Sequence, residues 1–528
     1  MSVSVSAPAF LGIDLGTTAL KCAVYDSRGA LVGEETEEYG LLAPHPGWVE
    51  VEVETYWQAL RLALGRLLRA SGVDAGSIRA AAVSAQGETL VPVDAAGTAL
   101  RPAIVWLDNR ATAEAAHLAD VFGDEVYRVT GQPEMLATWP AAKVLWLTRN
   151  EPATAQAAAR YLLLEDWLIW RLTGEYVTEG SLATSTCYWD FRSKQWWPEM
   201  LDAIGIDAHQ LPAIVEPGSP VATIRGSAAD ELGLPASMLV CTGALDQACG
   251  AIGAGNFVPG GFSENTGAAI ALCATIEAPR LDPSGAMPCH YHALPDTYMF
   301  HTFTSGGIIL RWFRDQLSES VVSDAARSGD DGYARLGELA AETPPGADGL
   351  MMLPYLQGAM APENNDDASG VLLGLSLQHT RGHVVRAIFE SVAFVVRRNV
   401  DVMRQLGVPI DRVRALGGGA RSAVWKQIEA DILGLPVVTM AQLDAGALGA
   451  AVLAGVGSGH WGSVAEATES MVREARVFEP DASRAALYDD KYELFQSAYR
   501  DLLPTFDRIS AARASADPHH SSSPAATL

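Results

Sequence analysis

Two stretches far apart in the chain share one pattern. Leu15-Gly16-Thr17-Thr18-Ala19-Leu20-Lys21-Cys22 and Asn265-Thr266-Gly267-Ala268-Ala269-Ile270-Ala271-Leu272-Cys273 both read as strand, Gly/Thr turn, strand. The chain has 528 residues, and single hydrophobic cores stop growing at roughly 250–300 residues. The recurrence therefore predicts two similarly built α/β domains, spanning 1–257 and 258–505, with a flexible tail over 506–528. The join is expected in Gly253-Ala254-Gly255-Asn256-Phe257-Val258-Pro259-Gly260-Gly261, whose Gly and Pro suit a hinge or linker. From about Ser510 the sequence is small and polar with no apolar period.

Around the first turn, Phe10–Asp14, Leu20–Asp26 and Leu31–Thr36 are short β-prone runs that predict an antiparallel meander, followed by a helix from about Thr55 to Ala70. In the second half Val384, Ile388, Val392 and Val395 recur at helical spacing while Arg386, Glu390 and Arg397 fall elsewhere, which predicts an amphipathic helix. A further helix is expected after Gly417-Gly418-Gly419, with Trp425, Ile428 and Ile432 on one face.

Charge and cysteine usage exclude whole classes of function. Lys and Arg number 37 against 63 Asp and Glu, a formal net charge of -26 that repels nucleic-acid phosphates and anionic membranes. Six scattered Cys with no C-x-x-C pair suggest neither a disulfide framework nor a zinc ribbon. The amino terminus lacks a basic leader and no apolar run reaches about 20 residues, so the expected setting is soluble and cytoplasmic.

Three constellations could carry chemistry. Asp14-Leu15-Gly16-Thr17-Thr18 places a carboxylate at a strand end before a turn rich in hydroxyls and free amides, able to cradle phosphate while the carboxylate holds Mg²⁺ directly or through water; read alone it is a polar hairpin. Asp246, in Thr242-Gly243-Ala244-Leu245-Asp246-Gln247, stands between a strand and a helix and could be a plain cap. Leu416-Gly417-Gly418-Gly419-Ala420-Arg421-Ser422 lets a ring or phosphate approach the backbone, or simply makes a sharp strand–helix connection. Competing signals are weaker. No Lys follows a Gly, so a Walker-type loop is absent. Gly457, Gly459 and Gly462 form a G-x-G-x-x-G, but after the helical pattern Ala445–Ala454. Cys289, His290, His292 and His301 alternate across strand faces and do not converge as a metal site. Trp48, Trp57, Trp106, Trp139, Trp146 and Trp167 are core anchors by default.

In this order and over both halves, these pieces resemble the FGGY family of carbohydrate kinases, of the actin, sugar kinase and Hsp70 group. Gly47-Trp48-Val49-Glu50, Ile104-Val105-Trp106-Leu107-Asp108-Asn109-Arg110 and Arg171-Leu172-Thr173-Gly174-Glu175 look like family landmarks. Gly370-x-Leu372-x-Gly374-Leu375, followed after seven residues by His383-Val384-x-x-Ala387-Ile388-Phe389-Glu390, fits its C-terminal pattern throughout. Its N-terminal pattern is met by Pro140-x-x-Lys143-Val144-x-Trp146-Leu147-x-x-Asn150, with Thr138 replacing the usual first residue.

The resemblance implies two ribonuclease H/actin-like domains with a cleft and hinge, and ATP-dependent phosphorylation of a sugar or polyol hydroxyl. It implies Asp246 as general base and Asp14 on the Mg²⁺ side. Gly16, Thr17, Thr18, Lys21, Thr266, Gly267, Gly306, Gly307, Gly418, Gly419 and Ser422 would border ATP. Gln86, Glu88, Trp106, Asp246 and Gln247 would meet the substrate. Gln86-Gly87-Glu88-Thr89 occupies the segment where xylulose kinases usually carry Met-His-Gly and glycerol kinases Arg-Glu-Thr. Glu88 and Asp246-Gln247 look glycerol-kinase-like, whereas Gly87 and Thr138 lack two of that group's contacts, which suggests room for a longer substrate. A ketopentose such as xylulose is the first expectation, with glycerol, erythritol or gluconate as alternatives. An actin- or Hsp70-like ATPase without a sugar acceptor is the rival from another class. A homodimer is left open.

Overall fold

The computed structural model describes residues 7–329 and 331–516. Two compact units emerge, and they are not contiguous in sequence. The first comprises 1–258, 275–300 and 444–473, and the second 259–274, 301–443 and 474–528, as far as these are described. The first change of unit falls at Val258/Pro259. Two later segments then return to the first unit, so a single cut at 257/258 does not divide the fold. The tail expected from 506 is helical as far as Ala516, within a helix Ala485–Ala516; residues 517–528 lie outside the described residues.

The first unit is built on a sheet ordered Pro220–Thr223, Leu239–Cys241, Ile78–Ala85, Ala9–Leu15, Ala19–Asp26, Leu31–Glu38, with Ala244–Leu245 also paired to Ile78–Ala85. The meander read from the sequence is present: Ala9–Leu15, Ala19–Asp26 and Leu31–Glu38 pair antiparallel in turn. Ala9–Leu15 then runs parallel to Ile78–Ala85, which runs parallel to Ala244–Leu245. The strand Ala9–Leu15 is apolar almost throughout because both its faces are covered. The helix Val53–Ala70 packs beside the meander through Val53, Tyr56, Trp57, Leu60, Leu64 and Leu67, the i, i+3/i+4, i+7 stripe of a half-buried helix. Each such large side chain contributes roughly 1.5–3 kcal/mol by leaving water. The other cover is the helix Gly446–Gly457, Gly-Ala-Leu-Gly-Ala-Ala-Val-Leu-Ala-Gly-Val-Gly, whose small residues bring backbones into contact. A Cβ on Gly12 would lie 1.8 Å from the carbonyl oxygen of Ala447.

In the second unit the strand order runs Tyr298–Ser305, Ala269–Ile276, Phe262–Thr266, Val413–Gly417, Val437–Met440, Glu474–Phe478. Phe262–Thr266 is antiparallel to Ala269–Ile276 and parallel to Val413–Gly417. This repeats the local topology around Ala9–Leu15, so the two similar turns sit at equivalent points of two α/β units. Helix Ala423–Leu433 follows the glycine turn as expected. Helix Arg381–Gln405 departs from the amphipathic pattern. Arg386 and Glu390 are buried and paired at 2.9 Å, and Lys491 joins Glu390 at 2.6 Å with the Tyr488 hydroxyl alongside. Charges at helical spacing look like a wet face in the sequence. Here they neutralise one another inside the unit.

All six cysteines are free and buried. Among the described residues no helix is long and apolar enough to cross a membrane.

Candidate functional site

Within the first unit, the parallel strands bring three acids to one end of the sheet. Asp14 is the penultimate residue of Ala9–Leu15 and lies opposite Ser84, while Leu15 and Leu245 both lie opposite Ala85. Chain continuity then puts Gln86-Gly87-Glu88 just past one strand end and Asp246 just past the next. Carboxyl ends of parallel strands are where α/β folds collect ligands, because the chain turns away there and leaves space.

The hairpin after Asp14 is tied from several sides. The Gly16 N–H donates to Ala19 O at 3.0 Å and closes the turn. The Gly16 carbonyl accepts from Gln86 Nε2 at 3.1 Å and from the Tyr39 hydroxyl at 2.5 Å. Trp106 Nε1 donates to Thr17 Oγ1 at 2.8 Å. Gln86 Nε2 and Trp106 Nε1 thus both hold the turn. Thr18 is exposed. Lys21 pairs with Asp444 of the returning segment. Asp14 Oδ1 accepts from the Ser84 hydroxyl at 2.6 Å. The backbone of Gly446 lies against the same carboxylate, 3.0 Å from where a Cβ would be.

The electrostatics follow from this crowding. Burial pushes the Asp246 carboxyl up to about 8, and the charges of Asp14 and Glu88 push the same way. Hydrogen bonds from Gln247, backbone N–H at 2.8 Å and side-chain amide at 3.4 Å, pull in the other direction without prevailing. Asp14 is raised by burial against the opposing effects of Ser84 and Lys21. Glu88 sits at a left-handed φ of 50°, and burial lifts its carboxyl to about 7 despite Lys143 and Ser185. Lys143 is fully buried, is lowered to about 7 by burial, and donates to the carbonyls of Glu88 and Val105 at 2.9 Å each. Clustered titratable groups with displaced pKa values mark functional sites more often than chance.

Gly87 is closely surrounded: a Cβ there would meet Leu245 Cδ1 at 2.9 Å and Ser185 Oγ at 3.2 Å.

In the second unit three turns meet backbone to backbone. Gly267 ends the Phe262–Thr266 hairpin, donating to Ala269 O at 2.9 Å, and its carbonyl accepts from Gly307 N–H at 3.0 Å. A Cβ on Gly306 would lie 2.6 Å from the carbonyl carbon of Ala269. Gly417, at φ 73°, and Gly419 pack on Thr266, where a Cβ on either would come within 2.6 Å. Gly418 is looser, 3.8 Å from Thr266 O. Thr266 is 1% exposed, and its hydroxyl has no hydrogen-bond partner among the described residues. Such a buried donor suits an anionic oxygen. Ser422 caps helix Ala423–Leu433 by accepting from the Trp425 N–H at 3.3 Å, which is the bland role of a serine there.

Sequence reasoning missed Ser84, Asp444 and Gly446, which touch the Asp14–Lys21 hairpin, and gave Lys143 no role at the site. Ser84 could have been found from the parallel register; Gly446 could not, because nothing local says that its helix returns to the first unit.

Residues 9–253 match the N-terminal domain model of the FGGY family of carbohydrate kinases, and residues 270–458 match the C-terminal domain model. A xylulose kinase of Bacillus subtilis (strain 168) is 31% identical over 490 residues, 93% of this chain and 96% of that protein. An autoinducer-2 kinase of Enterobacter sp. (strain 638) is 30% identical over 512 residues, covering 94% and 95%. The crystal structure of xylulose kinase from Rhodospirillum rubrum matches with a TM-score of 0.85 at 31% identity, over 94% of this chain and 100% of its own.

Proposed function

Because the chain belongs to the FGGY family of carbohydrate kinases, sugar-phosphorylating transferases of two-unit actin-like fold, we propose that it phosphorylates a ketopentose such as xylulose from ATP, with Asp246 as general base. One observation carries this reading: Asp246 is a half-buried carboxyl at a strand end, raised to about 8 by desolvation and then by the charges of Asp14 and Glu88, the range in which a carboxylate accepts a proton near neutral pH. The acceptor hydroxyl oxygen attacks the γ-phosphorus, its proton passes to an Asp246 carboxylate oxygen, and ADP leaves. Phosphoryl transfer needs alignment and charge stabilisation more than covalent help.

The remaining roles are assigned on chemistry. Asp14 fits a Mg²⁺ ligand, direct or through water, since one oxygen is fixed by Ser84 and carboxylates suit this hard cation; Mg²⁺ there would neutralise charge on the transferring phosphate. Gly16, Thr17, Thr18 and Lys21 are assigned to the phosphate, and Thr266, Gly267, Gly306, Gly307, Gly418, Gly419 and Ser422 to the nucleotide. Gln86, Glu88 and Gln247 are assigned to substrate hydroxyls and Trp106 to packing on substrate carbon, with Gln86 Nε2 and Trp106 Nε1 also holding the hairpin.

A coupled ADP-release screen over ketopentoses, polyols and hexonates with Mg-ATP tests the substrate. Highest kcat/KM on a ketopentose is expected; preference for gluconate or glycerol refutes that choice, and ADP release that no sugar stimulates favours the ATPase rival. Asp246→Asn should abolish phosphorylation while ATP binding persists, and retained turnover removes Asp246 as the base.

A further inference from the structure

Buried acids that this reaction does not use lie beneath the short strand leading to Asp246. Glu165, near the start of helix Leu164–Thr173, accepts the Gly243 N–H on Oε1 at 2.7 Å. Glu179 caps helix Gly180–Thr184, accepting the N–H groups of Ser181 and Leu182 at 2.7 and 2.8 Å. Ser181 relays that anchor: its hydroxyl donates to Glu179 Oε1 at 2.6 Å and accepts the Leu245 N–H at 2.9 Å. Glu165, Glu179 and Ser181 are all at most 1% exposed.

The backbone of 243–245 is therefore clamped. Ala244 and Leu245 pair with Ser84 and Ala85, and Gly243 is so close to Val83 that a Cβ would sit 1.8 Å from its carbonyl oxygen. Burying two carboxyl groups to bind the backbone N–H groups of Gly243, Ser181 and Leu182 is a costly choice, since carbonyls or hydroxyls would satisfy them without a charge to desolvate. Burial does push Glu179 up to about 7, and burial together with Glu179 and Asp166 holds Glu165 well above the usual carboxylate range. Costly polar groups are kept where position matters, and the residue after Leu245 is Asp246.

We propose that Glu165, Glu179 and Ser181 are positioning residues for phosphoryl transfer, fixing the backbone at Gly243 and Leu245 so that the Asp246 carboxylate meets the acceptor hydroxyl. This rests on Asp246 being the base. Since misplacement by about 1 Å can cost on the order of 10²-fold in rate, Ser181→Ala and Glu165→Leu should each lower kcat by about that factor and leave KM for ATP unchanged. Ser181→Thr keeps the hydroxyl and Glu165→Gln keeps the acceptor oxygen, so both should restore kcat.

The assay is steady-state kinetics on full-length variants, run well below the lowest unfolding midpoint so that lost stability alone does not lower kcat. Wild-type kcat in folded Ser181→Ala or Glu165→Leu would overturn the proposal. So would Glu165→Gln as impaired as Glu165→Leu, or a loss of kcat matched by a rise in KM for ATP. If Ser181→Ala does not fold, the Glu165 pair decides. Asp246→Asn in the same series separates the premises: turnover there removes the base, whereas an inactive Asp246→Asn beside fully active Ser181→Ala and Glu165→Leu removes only the clamp.

Discussion

Two glycines on facing helices of the first unit should respond in opposite ways to the same added methyl group. Gly449, in helix Gly446–Gly457, would place a Cβ 1.9 Å from the backbone oxygen of Cys249, against an ordinary contact of 3.4–4 Å. The helix must retreat by about 1.5 Å, and overpacking of that kind costs typically 1–3 kcal/mol, occasionally more. The gain from replacing a helical glycine, about 0.5–1 kcal/mol, recovers only part of this. Gly250, in helix Asp246–Gly253, has nothing within 4 Å of its would-be Cβ. Gly250→Ala should therefore be neutral or stabilising by up to about 1 kcal/mol. The helix that must move covers Gly12 two residues before Asp14 and faces the helix that begins with Asp246. Gly449→Ala should thus lose kcat by about 10-fold or more, since small misplacements at a reacting centre are costly. Urea unfolding and coupled ADP release on both variants read the two effects. Wild-type stability and kcat in Gly449→Ala, or equal damage from both substitutions, would show that close packing of these backbones does not set the geometry of the site.

The pH dependence has a definite sign. Asp246 must be ionised to act, so kcat/KM should climb about tenfold per pH unit up to about 8 and then level. Glu88→Gln removes a neighbouring negative charge and should move that limb to lower pH; an unmoved limb would count against the coupling. Folding should respond inversely. A carboxyl whose folded pKa is raised keeps its proton where the unfolded chain has lost it, so its contribution to stability falls as pH rises from its unfolded value, near 4, to about 8. Asp246→Asn should accordingly be more stable than wild type at pH 8 and lose the advantage near pH 4; thermal unfolding at both values decides. Ser84→Ala takes from Asp14 a charge-assisted bond of about 1.5–3 kcal/mol, and a Mg²⁺ titration of kcat should show a higher half-saturation, while an unchanged one would separate Asp14 from the metal.

Much of the site was legible because strand ends and turns are local. The Asp14 hairpin, its echo at Thr266-Gly267 and the strand-to-helix step at Asp246 all follow from short runs and turn residues, and the parallel register then aligns Asp14 with Ser84. What the sequence hid is non-local. Gly446–Gly457 carries no face pattern, because a helix buried all round by small residues has nothing to alternate, so its return to Asp14 left no periodic trace. Arg386 and Glu390 read as solvent-facing because their partners, Lys491 and Tyr488, lie far along the chain. The bonds from Gln86 Nε2 and Trp106 Nε1 to the Gly16-Thr17 turn were hidden in the same way, since 70 and 89 residues separate the partners. The G-x-G-x-x-G at Gly457 proves to be packing, as its first glycine would place a Cβ 2.4 Å from Gly218 O.

The return of 444–473 to the first unit also orders events during synthesis. A nascent chain ending at Val258 has made every strand of that unit's main sheet, yet Gly12 and Gly253 still lack the later segment, Ala445 to Ala447, that packs on them, and one face of Ala9–Leu15 lacks the helix Gly446–Gly457. That face stays open while the ribosome translates most of the second unit, a window in which exposed strand surface invites aggregation. The amino-terminal half is thus the first to be made and among the last to be finished, and the Asp14 hairpin takes its final shape only after Lys21 can find Asp444.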